Sequence, residues 1–557
     1  MSQQKNPLEM LFHWAEKQPD TPWLFQSRQG VWQAITWGEA ADQVRRMAAA
    51  LRGIGLQPGD KVAISGRNTA HWFLADQAIT MAGMVSIGLY PKQNPAHTTY
   101  ILEHSETKAL FLGPMEDMQS FLGAVPQDIQ QITFPYDEVP AKDHAWNDLI
   151  AQYSPQQDYR TPGDDDVMTL VYTSGTTGNP KGVMMTYGNM MFAAKGLMEA
   201  MPPQGQERFF SYLPLAHAFE RGAVELSSLY FGAQVYFLEN IEKLAEQLAE
   251  VAPTRFFGVP LVYSRIQAGV LKKIPQKRLD LLLSIPVVRG LIRKKIQTAM
   301  GLQNARMCFA GAAPTPKPLI EWFDKLGIPL FQGYGMTENS IYATTNRPGV
   351  NRIGSVGKPL PGAHMKLSED GEILFKHGGV MKGYYKEPEK TAETFTEDGW
   401  LRTGDKGYVD SDGYLYITGR VKDIFKTLKG KYVAPAPIEG ALSRNTHIDQ
   451  LCMVGMNIKQ PVMLVTLAAD SRTLPREEVG HSLLETKEAV NAELEAHEAI
   501  AKLIIVEEEW TIDNGLMTPT MKVKRPQIEE RYESLIESAA ADRSTRIVWE
   551  AEHQPPN

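Results

Sequence analysis

The sequence predicts an α/β protein: a large N-terminal region of mixed and parallel sheets covered by helices, followed by a smaller α+β unit. Three observations predict it. Short apolar runs alternate with helix-period segments through the first two thirds of the chain. From Gly371 onward the pattern changes to short strands and turns. The last ~135 residues read as a unit of their own, and at roughly 100–200 residues per domain a chain of 557 residues holds more than one.

The elements follow in order. Residues 37–52 read as a helix, with Ala41, Val44, Met47, Ala48 and Leu51 at helical spacing, stopped by Gly53 and Gly55. A short apolar strand over 61–65 follows the Pro58-Gly59-Asp60 turn. Residues 159–166, with Pro162, Gly163 and three aspartates, read as a polar surface connection. The apolar strand 167–172 then runs into a Gly/Thr-rich loop. Further strands are expected over 209–213, 234–237, 254–259, 372–376 and 413–418, with a helix over 241–250 between two of them.

Composition narrows the function classes. A formal net charge of −8 argues against general nucleic-acid binding. The two cysteines, Cys308 and Cys452, are far apart and form no CxxC, which suits a reducing compartment. The N-terminus carries acidic residues and no long apolar core, unlike a secretory signal. No run approaches the ~18 apolar residues of a spanning helix. A cytoplasmic protein is therefore expected.

The strongest chemical signal is Tyr172-Thr173-Ser174-Gly175-Thr176-Thr177-Gly178-Asn179-Pro180-Lys181-Gly182. Gly175 and Gly178 permit tight turns and close approach of backbone amides to an anion. The hydroxyls of Thr173, Ser174, Thr176 and Thr177 add donors, and Lys181 adds a mobile cation. A polyphosphate needs this combination. The spacing is not that of GxxxxGK[ST], and no GxGxxG follows a strand, which weakens the dinucleotide reading. A Ser/Thr/Gly loop alone is often only a connection; the full eleven-residue pattern is far more specific.

Seven segments in order, this loop being the first, resemble the adenylate-forming superfamily of acyl-CoA synthetases, luciferases and peptide-synthetase adenylation domains. The others are Leu213-Pro214-Leu215-Ala216-His217-Ala218-Phe219-Glu220-Arg221, Gly311-Ala312-Ala313-Pro314, Gly333-Tyr334-Gly335-Met336-Thr337-Glu338, Trp400-Leu401-Arg402-Thr403-Gly404-Asp405, Gly419-Arg420-Val421-Lys422-Asp423 and Thr518-Pro519-Thr520-Met521-Lys522-Val523-Lys524-Arg525. With looser matches near Leu89 they span most of the chain. The resemblance implies an N-terminal domain over 1–420 that binds ATP and the acyl group. It implies a mobile C-terminal domain over 421–557 that carries a catalytic lysine.

Each segment has a reading of its own beside that resemblance. Tyr334 between two glycines suits stacking on adenine, or an ordinary glycine-rich turn. A carboxylate beside a phosphate site suits Mg2+, whose preferred ligands are oxygens; the resemblance gives Glu338 this role with Thr173 as helper. Asp405, read as ending a turn, has two acceptor oxygens for two ribose hydroxyls, or caps the turn. Arg420 is a planar fork for ribose or phosphate oxygens. The resemblance sets His217 near the acyl carboxylate and phosphates, although a histidine in an apolar stretch is also an ordinary core residue. It gives Lys522 the bridge between carboxylate and α-phosphate, with Lys524 as a competitor because Met521 replaces the usual glycine. It gives Lys422 the hinge, where a surface lysine is the plainer reading.

The reading that results is ATP- and Mg2+-dependent conversion of a fatty acid to acyl-AMP, then transfer to coenzyme A. An acyl-AMP ligase, a carrier-loading enzyme and an inactive nucleotide- or acyl-binding homologue are the alternatives. The textures of 89–100 and 426–435 resemble long-chain members. Residues 271–295 set Leu281, Leu282, Leu283, Ile285, Val287, Val288, Leu291 and Ile292 between Lys272, Lys273, Lys277, Arg278 and Arg289, Arg293, Lys294, Lys295. This reads either as a basic amphipathic contact with the inner face of a membrane or as two short core helices broken near Pro286 with a solvated basic face. A homodimer is carried as a further expectation.

Overall fold

The computed structural model of the protein describes residues 5–173, 179–428, 430–456, 458–518, 522–542 and 544–552. The phosphate-loop residues Ser174, Gly175, Thr176, Thr177 and Gly178 lie outside the described residues, as do Pro519, Thr520 and Met521 beside Lys522.

An eight-stranded sheet is built around the central strand Lys61–Ser65, with Val85–Leu89 and Thr107–Leu112 parallel on either side. Val167–Thr173 lies parallel to Val85–Leu89, and Lys181–Thr186 then turns back antiparallel against it. Thr173 and Lys181 are thereby set opposite each other, so the phosphate-loop sequence joins two paired strands. The central strands are apolar on both faces because helices cover them; the helix Ala70–Met81 is buried over its whole length.

A second sheet runs Arg255–Gly258, Met307–Ala310 and Leu330–Tyr334 in parallel, then continues antiparallel through Thr344–Thr345 and Lys358–Pro359. Pro22–Arg28, Gln234–Phe237, Arg208–Ser211 and Val31–Thr36 form a third. The change of pattern after Gly371 corresponds to an antiparallel sheet of His364–Leu367, Glu372–Lys376, Leu401–Val409 and Leu415–Arg420. Beyond it, Ile448–Val454, Val462–Leu467, Lys502–Val506 and Ile547–Trp549 form a sheet covered by helices. The two apolar clusters packed on that sheet draw only on residues from Phe425 onward, as expected of a unit with its own core.

Three expectations shift. The helix expected over 241–250 divides into a 3-10 turn, Ile241–Lys243, and an α-helix, Leu244–Val251, because Asn240 caps the first turn by accepting from the Lys243 amide at 3.1 Å. The strand expected over 413–418 is Leu415–Arg420, which puts Arg420 on the sheet. Asp405 does not end a turn: it lies inside the strand Leu401–Val409, opposite Arg420. The turn-like signal came from Gly404, which takes φ +71 within that strand.

A buried polar network fastens the first sheet to the helices beneath it. The segment 218–231 is helical throughout but opens into a π-helix over Arg221–Leu226. Such openings are rare and occur often near functional sites. Arg221, fully buried, pairs with Asp76 at 2.6 Å and reaches Glu225 at 3.5 Å. It donates to Thr169 Oγ1 and Ser86 Oγ on the two strands above. Next to it, buried Glu220 accepts from Ser211 Oγ, the Tyr212 amide and Asn68. Burial pushes the Glu220 carboxyl up to about 8, so it is mainly protonated at neutral pH.

Candidate active site

Sequence-predicted residues stand at strand ends in the first two sheets and on paired strands of the antiparallel one. Asp405 is the best-defined member. Its Oδ1 accepts from Arg420 Nε at 3.0 Å and its Oδ2 from the Tyr334 hydroxyl at 2.6 Å. Tyr334, 71 positions away, thus meets on one buried carboxylate with Arg420 of the neighbouring strand. Tyr334 anchors the group through its hydroxyl, and burial together with the Asp405 charge pushes that phenol well up. Each Asp405 oxygen keeps acceptor capacity for a further hydroxyl.

Glu338 follows the strand Leu330–Tyr334 on a strained turn. Ser340 and Ile341 both take φ +56, a left-handed conformation that is an outlier for a β-branched residue. Strain of this kind persists where its surroundings hold it, and it clusters at functional sites. The surroundings are identifiable. The Met381 amide donates to Glu338 O at 2.8 Å, and Ser340 Oγ to Gly379 O at 2.7 Å. A Cβ at Gly335 would meet the Ile341 backbone at 2.7 Å. That glycine is thus required by the turn packed on it, a constraint separate from the nucleotide approach expected of it. At Gly333 the nearest atom is Thr345 Oγ1 at 3.1 Å. Met336 and Thr337 lead into the turn, with the Met336 amide donating to Asn339.

Tyr384 is the residue that the sequence reading missed. Its hydroxyl donates to Glu338 Oε1 at 2.8 Å, and Lys181 Nζ lies 4.7 Å from its ring centroid. One side chain thus supports both a candidate metal ligand and the lysine that closes the phosphate loop. Lys181 sits over the ring face, where the negative quadrupole favours a cation. An aromatic after Gly383 carries no chemical signal of its own; its role arises from pairing Gly383–Tyr384 against Lys181–Thr186.

His217 is partly buried at the start of the helix Ala218–Glu220. Its Nδ1 accepts from the Phe219 amide at 3.1 Å, which assigns the ring proton to Nε2. Burial, then the Lys522 charge, push His217 down to about 4. At neutral pH it is an uncharged donor. Gly311 packs beside Phe219 and Gly333, and Ala312, Ala313 and Pro314 are exposed beyond it, Ala312 with φ +66.

Lys522 comes from the C-terminal unit, on a turn in which the Thr518 amide donates to Lys522 O at 2.8 Å and the Lys522 amide to Thr518 Oγ1 at 3.1 Å. The Lys522 residue keeps solvent contact although protein gathers around its side chain. That enclosure, and then the Arg420 charge, lower its pKa against the opposing pull of Asp405 and Glu338. The same lysine acts on His217. Lys524 faces elsewhere, its charge acting on His97. Lys422 is exposed between the strand that ends at Arg420 and the strand Phe425–Lys426.

Mg2+ takes few protein ligands when it is shared with a phosphate chain. Among the described residues no cluster of three or more His, Cys, Asp or Glu side chains offers a protein-only metal cage. Glu338, partly buried and held by Tyr384, which also lies against Lys181 opposite Thr173, is a carboxylate suited to an ion whose other ligands are phosphate oxygens and water.

Comparison with known proteins identifies the family of the chain. The family profile of AMP-binding enzymes matches residues 11–385, and that of the AMP-binding enzyme C-terminal domain matches 422–544. The chain is 31% identical to the long-chain-fatty-acid–CoA ligase FadD15 of Mycobacterium bovis, over 96% of each chain. It is 30% identical to fatty acyl-CoA synthetase A of Dictyostelium discoideum, over 93% of this chain and 87% of that one. In fold it resembles an anthranilate CoA ligase crystallised with anthranoyl-AMP, with TM-score 0.79, 22% identity and coverage of 97% and 99%. With these matches over nearly its full length, the chain belongs to the AMP-binding enzyme family.

Proposed function

We propose that this chain is an ATP-dependent acid–thiol ligase that activates a long-chain fatty acid as acyl-AMP, releases pyrophosphate and transfers the acyl group to coenzyme A. One relation carries the reading: a lysine from the C-terminal unit lies within electrostatic reach of Asp405, Arg420, Glu338 and His217. In the first half-reaction a carboxylate oxygen bonds to the α-phosphorus and pyrophosphate leaves. Both reactants are anions, so a cation where they meet stabilises the transition state. Lys522 has that role. The neutral His217 donates its Nε2–H toward the acyl carboxylate without adding a charge. Asp405, fixed by Tyr334 and Arg420, accepts the ribose hydroxyls. Gly311, Ala312, Ala313 and Pro314 line the nucleotide side with Gly333–Thr337. Ser174–Gly178 and Lys181 hold the phosphates.

Glu338 and Thr173 would hold Mg2+, which when bound neutralises phosphate charge. Residues 1–420 and 421–557 are the two domains, and rotation about Lys422 lets a second set of groups face the acyl-AMP for thiol attack, with AMP leaving. The long-chain preference rests on the relatives, and a cytoplasmic location agrees with it; among the described residues no helix is long and apolar enough to cross a membrane.

The test is a panel of acids from short to very long chains. Pyrophosphate release is expected to require a fatty acid and to be followed by CoA-dependent thioester formation. Pyrophosphate without acylated CoA would identify an acyl-AMP ligase or carrier-loading enzyme, and neither product an inactive homologue.

Tyr384→Phe keeps the ring over Lys181 and removes only the hydroxyl on Glu338. It is expected to raise the Mg2+ concentration for half-maximal pyrophosphate release by about tenfold, as lost support of a metal ligand does. An unchanged Mg2+ dependence would remove Tyr384 from this role.

A further inference from the structure

The structure resolves 271–295 into the end of the helix Pro260–Lys273, the helix Gln276–Ser284 and the helix Pro286–Ala299, broken at Ile285-Pro286. Each of the last two helices has one face accounted for. Leu279, Leu283, Ile292 and Ile296 pack into the apolar cluster that includes Phe256, Cys308 and Leu330 of the second sheet. The other face carries large apolar side chains that are exposed. Leu281 is 64% exposed, Ile285 42%, Val287 87% and Leu291 71%. Val287 and Leu291 are one turn apart on one face of the second helix, Leu281 stands in the last turn of the first and Ile285 is the extended residue between them, so the four surround the break.

The charges around this tip are one-sided. Residues 271–295 hold eight basic side chains and a single acid, Asp280, on a chain whose formal net charge is −8. Asp280 is itself matched by Lys325 at 3.6 Å. Arg293 is tied to Lys325 O through its Nε; the other seven basic residues are exposed. Lys272 comes no closer than 3.9 Å to Asp470, and both are almost fully exposed, so that contact holds little.

We propose that this apolar tip with its basic flanks is a docking surface for an anionic phospholipid membrane. Large aliphatic side chains exposed at a helix break are what a bilayer interface buries, and lysine and arginine on both sides are what anionic headgroups attract. A protein surface satisfies the two features less well. In a two-fold homodimer through this face, like charges would oppose like, so the expected homodimer does not use it. The contact is peripheral, since no described helix spans a bilayer. It deepens the ligase reading by placing the enzyme where a water-poor acid is dissolved, yet the argument from exposure and charge does not need that reading.

The test is flotation of the whole protein with vesicles of phosphatidylcholine alone or of phosphatidylcholine mixed with phosphatidylglycerol. Binding is expected to the mixed vesicles only, and to weaken with salt. Val287→Asp with Leu291→Asp is expected to abolish it. Lys294→Ala with Lys295→Ala is expected to weaken it about fivefold for each lysine removed. Pyrophosphate release from a detergent-dispersed acid is expected to stay unchanged in both variants, which shows that they fold and keeps this result separate from the ligase test. No binding by the wild type, equal binding to neutral vesicles, or wild-type binding by the aspartate variant would overturn the proposal. So would conversion of a dimer to a monomer by the aspartate pair, which would make the face a contact between copies.

Discussion

Lys522→Ala is expected to lower fatty-acid-dependent pyrophosphate release by about two to three orders of magnitude, while thioester formation from supplied acyl-AMP is largely spared. The expectation follows from position. The ammonium lies within electrostatic reach of Arg420, Asp405, Glu338 and His217, the groups proposed to surround the point where adenylation brings two anions together. Thiol attack on the acyl carbonyl has no such repulsion to relieve. Enclosure and the Arg420 charge hold the lysine below its ordinary pKa. The group works protonated, so wild-type adenylation should decline with rising pH earlier than an ordinary lysine allows. Lys522→Arg carries a cation that does not titrate in this range; whatever activity it keeps should lack that alkaline decline. Equal loss of both half-reactions in Lys522→Ala would sink the division of roles.

Arg221→Met is expected to destabilise the fold by about 3–5 kcal/mol, the range for removing one partner of a buried ion pair. Asp76 is 1% exposed and Arg221 is the cation bonded to it. Burial, and then the neighbouring Asp76, push the Glu225 carboxyl well up, and Arg221 holds Asp76 the more closely of the two, at 2.6 Å against 3.5 Å. Methionine fills a similar volume but leaves the Asp76 charge without a counterion. Adding Asp76→Leu should recover most of the loss, because a buried pair replaced whole by apolar groups is often neutral. Urea unfolding of the single and double variants measures both. A single variant within about 1 kcal/mol of wild type would mean that water or a rearranged neighbour already compensates the charge.

The parts legible in the sequence were those that local pattern determines. Strands such as Lys61–Ser65 and Gln234–Phe237 were readable because buried parallel strands are short apolar runs between turns. The helix Trp37–Gly53 was readable from its spacing and its stop. The chemical segments were readable because their residues are consecutive. What escaped depends on packing between segments. Tyr384 meets Glu338 across 46 positions of sequence, and Asp76 meets Arg221 across 145. Nothing near either tyrosine or aspartate announces the partner. Arg221 lay inside a recognised segment and still received no role, because its work is done beneath the sheet. Asp405 was misplaced at a turn because a glycine with positive φ inside a strand has the same local signature as one in a loop. The choice between Lys522 and Lys524 turns on which way alternate residues face, which spacing alone did not decide.

The turn bearing Lys522 is fixed at both ends within its own unit. Met517 bridges Val523, and the Lys524 amide donates to Leu516 O. Immediately after it, Arg525 pairs with Glu439 at 2.8 Å and donates to Met453 O. The lysine is therefore bolted to a solid block and has little local play. Under the proposed rotation about Lys422, its distance from Asp405 follows how that block as a whole is turned, in the way a key's bit follows its bow. Evolution or engineering that retunes the timing of the two half-reactions in such a chain has to act on the block's seating, because reshaping the tip alone leaves the throw unchanged.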